Sequence, residues 1–373
     1  MPRWPSLIAF GRRSWAAAVL VVAQWGVAAW VASTARHAGD VYGDPAEAAP
    51  LHAASRALLH GHLPADGGGF LWPVLTAPFA AAGASPSAGL RALVLVQVLV
   101  LLPIALLSIV AAVTRLSGRR LGLFAGVVWI VLPLLLYRYA DPRFRPAVRD
   151  DLLPKALGLA ESTAFPAMVA LAVAAYLLVR ALDSGRTRDG AAAGFAASVG
   201  LALSAAALPF VPGLLGALAF RRRPALVGAA AAGTVPGLVA LALWHAHAPH
   251  AGSPLLHFDW GQFHGNAMGF REYFWSLRVV EWIPIAGTIA VVRRSLSAAV
   301  AFGVWFWLTA LFRGAVPHTF FTGDPLHPSA EFVVLLLPAF PAFVVLVASL
   351  PLLVPRLPAR LAPFPSSSPS ARA

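Results

Sequence analysis

The sequence has no cysteine, and Lys155 is the single lysine among 28 basic residues. Without cysteine there is neither a disulfide framework nor a thiolate metal site. Charge is scarce too: 12% of the 373 residues are charged, and only 15 are acidic. No stretch is polar enough to form a soluble domain, and no internal repeat stands out. The one glycine run, Gly67-Gly68-Gly69, lacks the lysine of a phosphate-cradling loop and reads as an ordinary loop. What remains is apolar. At 59% hydrophobic residues, the chain has the composition of a polytopic membrane protein. Its formal charge of +13 raises the question of nucleic acid. The arginines, however, sit in short clusters between apolar runs, which is a membrane-topology pattern, so no nucleic-acid partner is expected.

Apolar runs approaching the ~20 residues that a bilayer requires mark the expected spans. They fall near 15–34, 88–114, 121–137, 162–180, 224–244, 279–292, 297–312 and 332–354. Arg12 and Arg13 precede the first run in the manner of an export signal, but no small-residue cleavage site ends it, so it reads as a retained anchor. Residues 70–84 are apolar, short and broken by proline, which suggests a re-entrant or interfacial helix. Residues 191–220 lie between Arg186 and Arg188 on one side and Arg221, Arg222 and Arg223 on the other. With both flanks on one side, the stretch must be a hairpin of two short helices, and the Pro209–Pro212 pair is its expected corner. The expectation is therefore an all-α transmembrane helical bundle, one integral membrane domain over 1–354, with about eight full spans plus the hairpin. Residues 355–373 read as a cytoplasmic tail whose end, APFPSSSPSARA, is of disordered type.

The positive-inside rule assigns the sides. With the N-terminus in the cytoplasm, 17 of the 28 bases fall on the inner side. Of the 15 acids only Asp183 and Asp189 do, and all 11 histidines fall outside. Three residue types thus sort by side on one map. The spans are almost free of charge, Arg91 and Glu281 lying only at edges. Ion-coupled transport ordinarily needs ionisable groups at mid-membrane, so that class is disfavoured. The chemistry is expected on the extracytoplasmic face of a plasma (inner) membrane.

Four outer segments carry the polar material. In 35–69, Asp44 precedes Pro45, and Glu47 follows three residues after Asp44, a capping-box-like helix start. Leu51, Ala54, Leu58 and Leu59 then recur at helical spacing, which predicts an amphipathic helix on the outer membrane surface. Asp44 serves either as a plain cap or as a carboxylate held at the bilayer edge, able to deprotonate a hydroxyl. Segment 138–161 breaks the inside bias with Arg138, Arg143, Arg145, Arg149 and Lys155. Either Asp141, Asp150, Asp151 and Glu161 pair with these bases, or the bases hold an anion such as a lipid phosphate, which guanidinium forks match. Segment 245–278 gathers histidines and aromatics, among them Trp260, His264, Tyr273 and Trp275. Its histidines follow no established metal-ligand spacing, and its aromatics suit an interfacial belt or stacking on a sugar. Segment 313–331 completes the set.

Several segments resemble the GT-C class of polytopic glycosyltransferases, which use polyprenyl-phosphate sugars. "SRALLHGHLP" (Ser55 to Pro64) is similar to the class's amphipathic helix A-x-x-L-L-x-G-x-x-P, and "FLWPVLTAP" (Phe70 to Pro78) to the proline-containing segment after it. "GFAASVGLALSAAALPFVPGLLGALAF" resembles the inner hairpin, with Ser204 and Ala205 where members often carry Thr-Lys. "EFVVLLLPAFPAFVVL" resembles the closing segment without its Arg-Tyr. The likeness covers most of the chain through loose motifs. It implies a GT-C-like fold and transfer of a sugar, such as mannose, from a polyprenyl-phosphate donor to a hydroxyl on the outer face, with inversion. The acceptor would be a glycolipid, a polysaccharide or a protein. Asp44 would be the general base, with Asp40 or Glu47 as substitute or helper. Counting back eleven positions from Leu58, where the class has its acidic residue, lands on Glu47. Arg143, Arg145, Arg149 and Lys155 would hold the leaving phosphate, and Arg271, His264, Trp260 and Tyr273 would contact donor or acceptor. No cofactor is fixed by the likeness, and a divalent metal ion is left open. The competing expectation is a non-catalytic translocator or assembly factor for lipid-linked sugars, with the same basic loop and no carboxylate base.

Overall fold

The computed structural model describes residues 7–34, 45–64, 69–82, 86–160, 162–248, 258–274, 279–315 and 331–354. Every regular element among them is helical, with no strand. The tail 355–373 and Glu161 lie outside the described residues.

In chain order the helices are α1 (Leu7–Thr34), α2 (Pro45–Leu59), α3 (Leu71–Ala82) and the rod α4 (residues 86–117), which is followed by α5 (Arg119–Tyr139). A short segment α6 (residues 145–156) leads to α7 (Ala164–Ser184), α8 (Thr187–Leu203), α9 (Phe210–Ala219) and α10 (Pro224–His247). The chain closes with α11 (Trp260–Phe274), α12 (Val279–Val292), α13 (Leu296–Gly314) and α14 (Leu337–Leu353). Six of these, α1, α4, α5, α7, α10 and α13, are long and apolar enough to cross a membrane by length and composition. The two other expected spans are shorter. Helix α12 has 14 residues, and α14 is a helix Phe340–Ser349 between two 3₁₀ turns. Pro338, Pro341 and Pro351 account for the breaks, since proline supplies no N–H to the helical ladder.

Helix α7 is the hub, 78% of its apolar window being buried, against 28% for α1 and for α10. The outer helices turn Trp15, Val19, Val22, Val235, Val239 and Leu243 outward, as lipid-facing surfaces require. Small residues let α8 and α10 approach backbone to backbone. A Cβ at Gly194 would meet the Ala230 carbonyl, and one at Gly237 the backbone of Ser198.

The expected hairpin is present, with a different corner. Helix α8 ends at Ser204, whose hydroxyl accepts from the Ala206 amide at 3.3 Å, and a 3₁₀ turn Ala205–Ala207 leads to α9. Pro209 caps α9 and Pro212 lies inside its first turn, so the reversal begins before the proline pair and is set by Ser204. Both hairpin feet meet where the Arg223 guanidinium donates to the Gly185 carbonyl at 3.3 Å. At that same end Arg115 pairs with Asp183 at 3.0 Å, and Asp189 accepts from Ser184 at 2.6 Å and pairs with Arg180 at 3.2 Å. Arg294 there donates to the Leu116 carbonyl at 2.8 Å and Arg293 to that of Leu353 at 3.1 Å. Among the described residues, Arg115, Arg180, Arg223, Arg293 and Arg294 of the charge map therefore share one end of the bundle.

Two buried glutamines interrupt the core. A π-helical turn, Gln97–Leu101, bends the register of α4 and leaves the Val98 carbonyl to accept from the Trp25 indole of α1 at 3.0 Å. Beside that contact, Gln24 and Gln97 are 1% and 0% exposed, and none of their side-chain amide atoms has a partner among the described residues. A buried amide without partners is destabilising by about 1–3 kcal/mol. Gln97→Leu, of similar volume, is therefore expected to raise the melting temperature of the detergent-solubilised protein. A lowered melting temperature would show that the amide is bonded.

Candidate functional site

The end opposite the basic clusters is built from segments that the sequence presents as loops. Segment α6 is helical because Phe144, Val148 and Leu152 recur every four residues and bury one face, with Leu153 and Pro154 beside them. Four-residue spacing suits the wide π turn Val148–Leu152 better than a regular helix. Pro146 and Pro154 masked this pattern in the sequence, although both sit at tolerated first-turn positions.

The basic side chains of this segment are engaged by neighbouring carboxylates. Arg149 grips Asp150 with two hydrogen bonds of 2.6 Å, and Lys155 pairs with Asp151 at 2.6 Å one turn away. The carboxylate of Asp150 pushes the Arg149 guanidinium further above its ordinary value. Arg145 donates to the Ala140 carbonyl at 3.1 Å and to that of Arg138 at 3.4 Å, stitching the turn rather than reaching outward. Arg138 lies over the ring of Tyr139. The pairing alternative is therefore what the structure displays for Asp141, Asp150 and Asp151, while Glu161 lies outside the described residues.

Arg143 reaches furthest. It binds Asp141 at 3.1 Å and, across 129 residues of sequence, Glu272 of α11 at 2.8 Å. Helix α11 starts because Asp259 caps it, its carboxylate accepting from the Gln262 amide at 3.1 Å. Its inner face sets Asn266 against the end of α13, donating to the Gly314 carbonyl at 2.9 Å, with the Phe263 ring beside Gly314. Its outer face carries Trp260, His264 and Arg271, all exposed and one above another at helical spacing. The structure thus ties Arg143 to α11 through Glu272, while Trp260, His264 and Arg271 share the exposed side of that helix and Arg149 and Lys155 lie along α6. Asp40 and Asp44 lie outside the described residues. The backbone of Glu47 is in the first turn of α2 and that of Tyr273 in the last turn of α11, and their side chains are likewise outside the described set. Among the described residues no cluster of three or more His, Asp or Glu side chains could hold a metal ion.

The first outer segment packs beside the hairpin corner. Ser55 of α2, fully buried, bonds Thr76 of α3 at 2.7 Å. This polar contact helps to seat the helix, with Leu58 half-buried beside it, while Leu59 is 53% exposed and faces away from the protein, as a surface helix on lipid would have it. Gly69 lies so close to the Ala202 carbonyl that no Cβ fits between them, and Phe70 meets Trp244 edge-on at 4.7 Å.

Compared with protein-family models, curated proteins and solved structures, the chain matches none of them. The likeness to a glycosyltransferase class therefore rests on the quoted sequence segments.

Arg143 is half exposed, so its bridge is expected to be modest. A double-mutant cycle of Arg143→Ala and Glu272→Ala should give a coupling of about 0.2–1 kcal/mol in chemical unfolding. The bond from Arg143 holds the Asp141 carboxyl below the usual range. The contribution of Asp141 is thus complete above its unfolded pKa of about 3.9 and is lost only as pH falls through the lower folded value. The Asp141–Arg143 contribution should accordingly be unchanged between pH 7 and about pH 5.

Proposed function

We propose that the protein is a membrane glycosyltransferase that passes a sugar from a polyprenyl-phosphate donor to an acceptor hydroxyl on the face opposite its basic clusters. In this reading the basic end is cytoplasmic, by the positive-inside rule. Asp44 is the general base, Asp40 and Glu47 are its neighbours, and Arg143 and Arg271 with Trp260 and His264 form the rim that meets donor and acceptor.

The observation that carries the reading is the short hairpin. At 10 residues, α9 rises only about 15 Å, half of a hydrocarbon core, so its corner stops inside the bilayer. Two elements meet that corner: Gly69 of the first polar segment against Ala202 on the α8 side, and Trp305 of the span α13 against Phe210 at 4.8 Å on the α9 side. A floor at that depth, roofed by interfacial helices, suits chemistry between a membrane-dissolved donor and an acceptor in water. A soluble enzyme has no use for such a floor.

The test uses purified full-length protein in liposomes with radiolabelled polyprenyl-phosphate mannose and glucose and a crude envelope acceptor fraction. Transfer of label to the acceptor is expected. Movement of a fluorescent lipid-linked sugar across the bilayer without any transfer would favour the translocator instead.

A further inference from the structure

The rod α4 is not a regular α-helix throughout, and what packs on it divides near the irregular turn. Leu90 and Leu93 of its outer part join Trp72 of α3, Ala167 of α7 and Leu203 of α8 in a small apolar core of their own. Leu102, Ala105, Leu106 and Ile109, farther along the rod, belong to the main core. The change-over comes at Val94, about one turn before the π turn Gln97–Leu101. The outer part is also tied closely to its neighbours. Gly89 lies so near the Phe79 carbonyl of α3 that no Cβ fits between them, and Ser55 of α2 bonds Thr76 of α3 at 2.7 Å. Helices α2 and α3 and the outer part of α4 thus form one small body standing on the π turn.

At that turn opposing preferences meet on a single acceptor. The Leu102 amide donates to the Gln97 carbonyl, five residues back, and passes over that of Val98. Pro103 has no N–H to give Val98 at the same spacing, so the Val98 carbonyl is left for the Trp25 indole at 3.0 Å. In a regular helix the Pro103 ring would press on the Leu99 carbonyl, and the wider turn avoids this. Pro103 and Trp25 therefore favour the π turn. The glutamines oppose it. In this register Gln24 and Gln97 are buried with all four side-chain amide atoms unpartnered among the described residues, which is destabilising. A regular helix would let the Leu102 amide take the Val98 carbonyl, displace Trp25 and re-aim Gln97 at the junction. Opposed penalties on one turn keep two registers close in free energy, as a bistable element requires.

We infer that the π turn of α4 is a two-state hinge: in the second register Leu102 takes the Val98 carbonyl from Trp25, Gln97 turns out of its apolar site, and the body of α2, α3 and the outer part of α4 tilts against the bundle. Gly69, directly before α3, rides on that body. Its close approach to Ala202 at the hairpin corner is made in the described register and loosened in the other. The hinge does not depend on sugar transfer, and its test reads no activity.

The test measures distances between two spin labels by pulsed electron paramagnetic resonance on the full-length protein in lipid nanodiscs. The chain has no cysteine, so labels attach only where one is introduced. Arg56→Cys on α2 with Leu296→Cys on α13 spans the hinge, both positions being exposed. Leu107→Cys, on the inner part of α4, with Leu296→Cys lies within the bundle. The spanning pair is expected to give two distances roughly 2–5 Å apart, and the inner pair one. Gln97→Leu removes an unpartnered amide and should deplete the second distance about fivefold or more. Trp25→Phe, which frees the Val98 carbonyl, and Pro103→Ala, which removes the ring, should enrich it. A second distance seen only in Trp25→Phe or Pro103→Ala would support the hinge, with the described register dominant in the parent. One distance for the spanning pair in the parent and in both of those variants, two distances for the inner pair, or populations that neither Gln97→Leu nor Trp25→Phe moves, would overturn it.

Discussion

Gly194→Leu is expected to prevent α8 and α10 from packing, giving loss of monodisperse protein or destabilisation of about 3 kcal/mol or more. The two helices make the most intimate contact of the bundle, and they make it through backbone. A Cβ on Gly194 would collide with the Ala230 carbonyl and come within 3.1 Å of the Gly233 Cα. Opposite, Gly233 faces the Ala191 carbonyl and Gly237 the backbone of Ser198, so at these positions the nearest obstacle is backbone, which cannot swing aside. In lipid no hydrophobic force drives helices together, and close packing of small residues carries the association. Gly228, on α10 but off the seam, faces open space: a Cβ added there would meet nothing within 4 Å. Gly228→Ala should be neutral or stabilising by up to about 1 kcal/mol through helix propensity. Size-exclusion profiles and melting curves of the two variants make the comparison. A parent-like Gly194→Leu would show that the seam does not hold the bundle.

Asp44→Ala is expected to lower sugar transfer by about 10²–10⁴-fold while leaving the melting temperature close to that of the parent. A hydroxyl attacking a sugar carbon must lose its proton as the bond forms, and a carboxylate is the group this end of the chain offers. Helix α2 begins at Pro45, so Asp44 directly precedes its first residue. Glu47, one turn into the same helix, and Asp40 are nearby in sequence and should show smaller losses when changed to alanine. Should Asp44→Ala, Asp40→Ala and Glu47→Ala all keep full transfer, the general-base role would have to be given up.

How far the sequence could be read depended on whether a feature is local. The six long spans follow from runs of apolar residues, and the hairpin from arginines on both flanks of a stretch too short to cross twice at full length. The pairing of Asp141, Asp150 and Asp151 was legible because each lies within four residues of its basic partner. Helices α6 and α11 were not, since their buried faces are interrupted by proline, asparagine and glycine, which hydropathy counts as loop. Ser204 stood out only as the counterpart of a threonine in the resembled class, and the turn was assigned to the two prolines, although the Ser204 side chain caps its start.

By itself the sequence determined a charge-sorted, multi-pass helical membrane chain, because hydropathy and charge are properties of each residue and accumulate along a segment. Only the tertiary structure decided which groups are left without partners. Gln24 and Gln97 looked like two polar residues in long apolar runs. Their isolation is set by what packs around them at the π turn of α4. The same holds for Gly194 and Gly237, ordinary glycines until two backbones meet across them. Desolvation and close contact depend on neighbours far away in the chain, so no reading of one segment at a time could supply them.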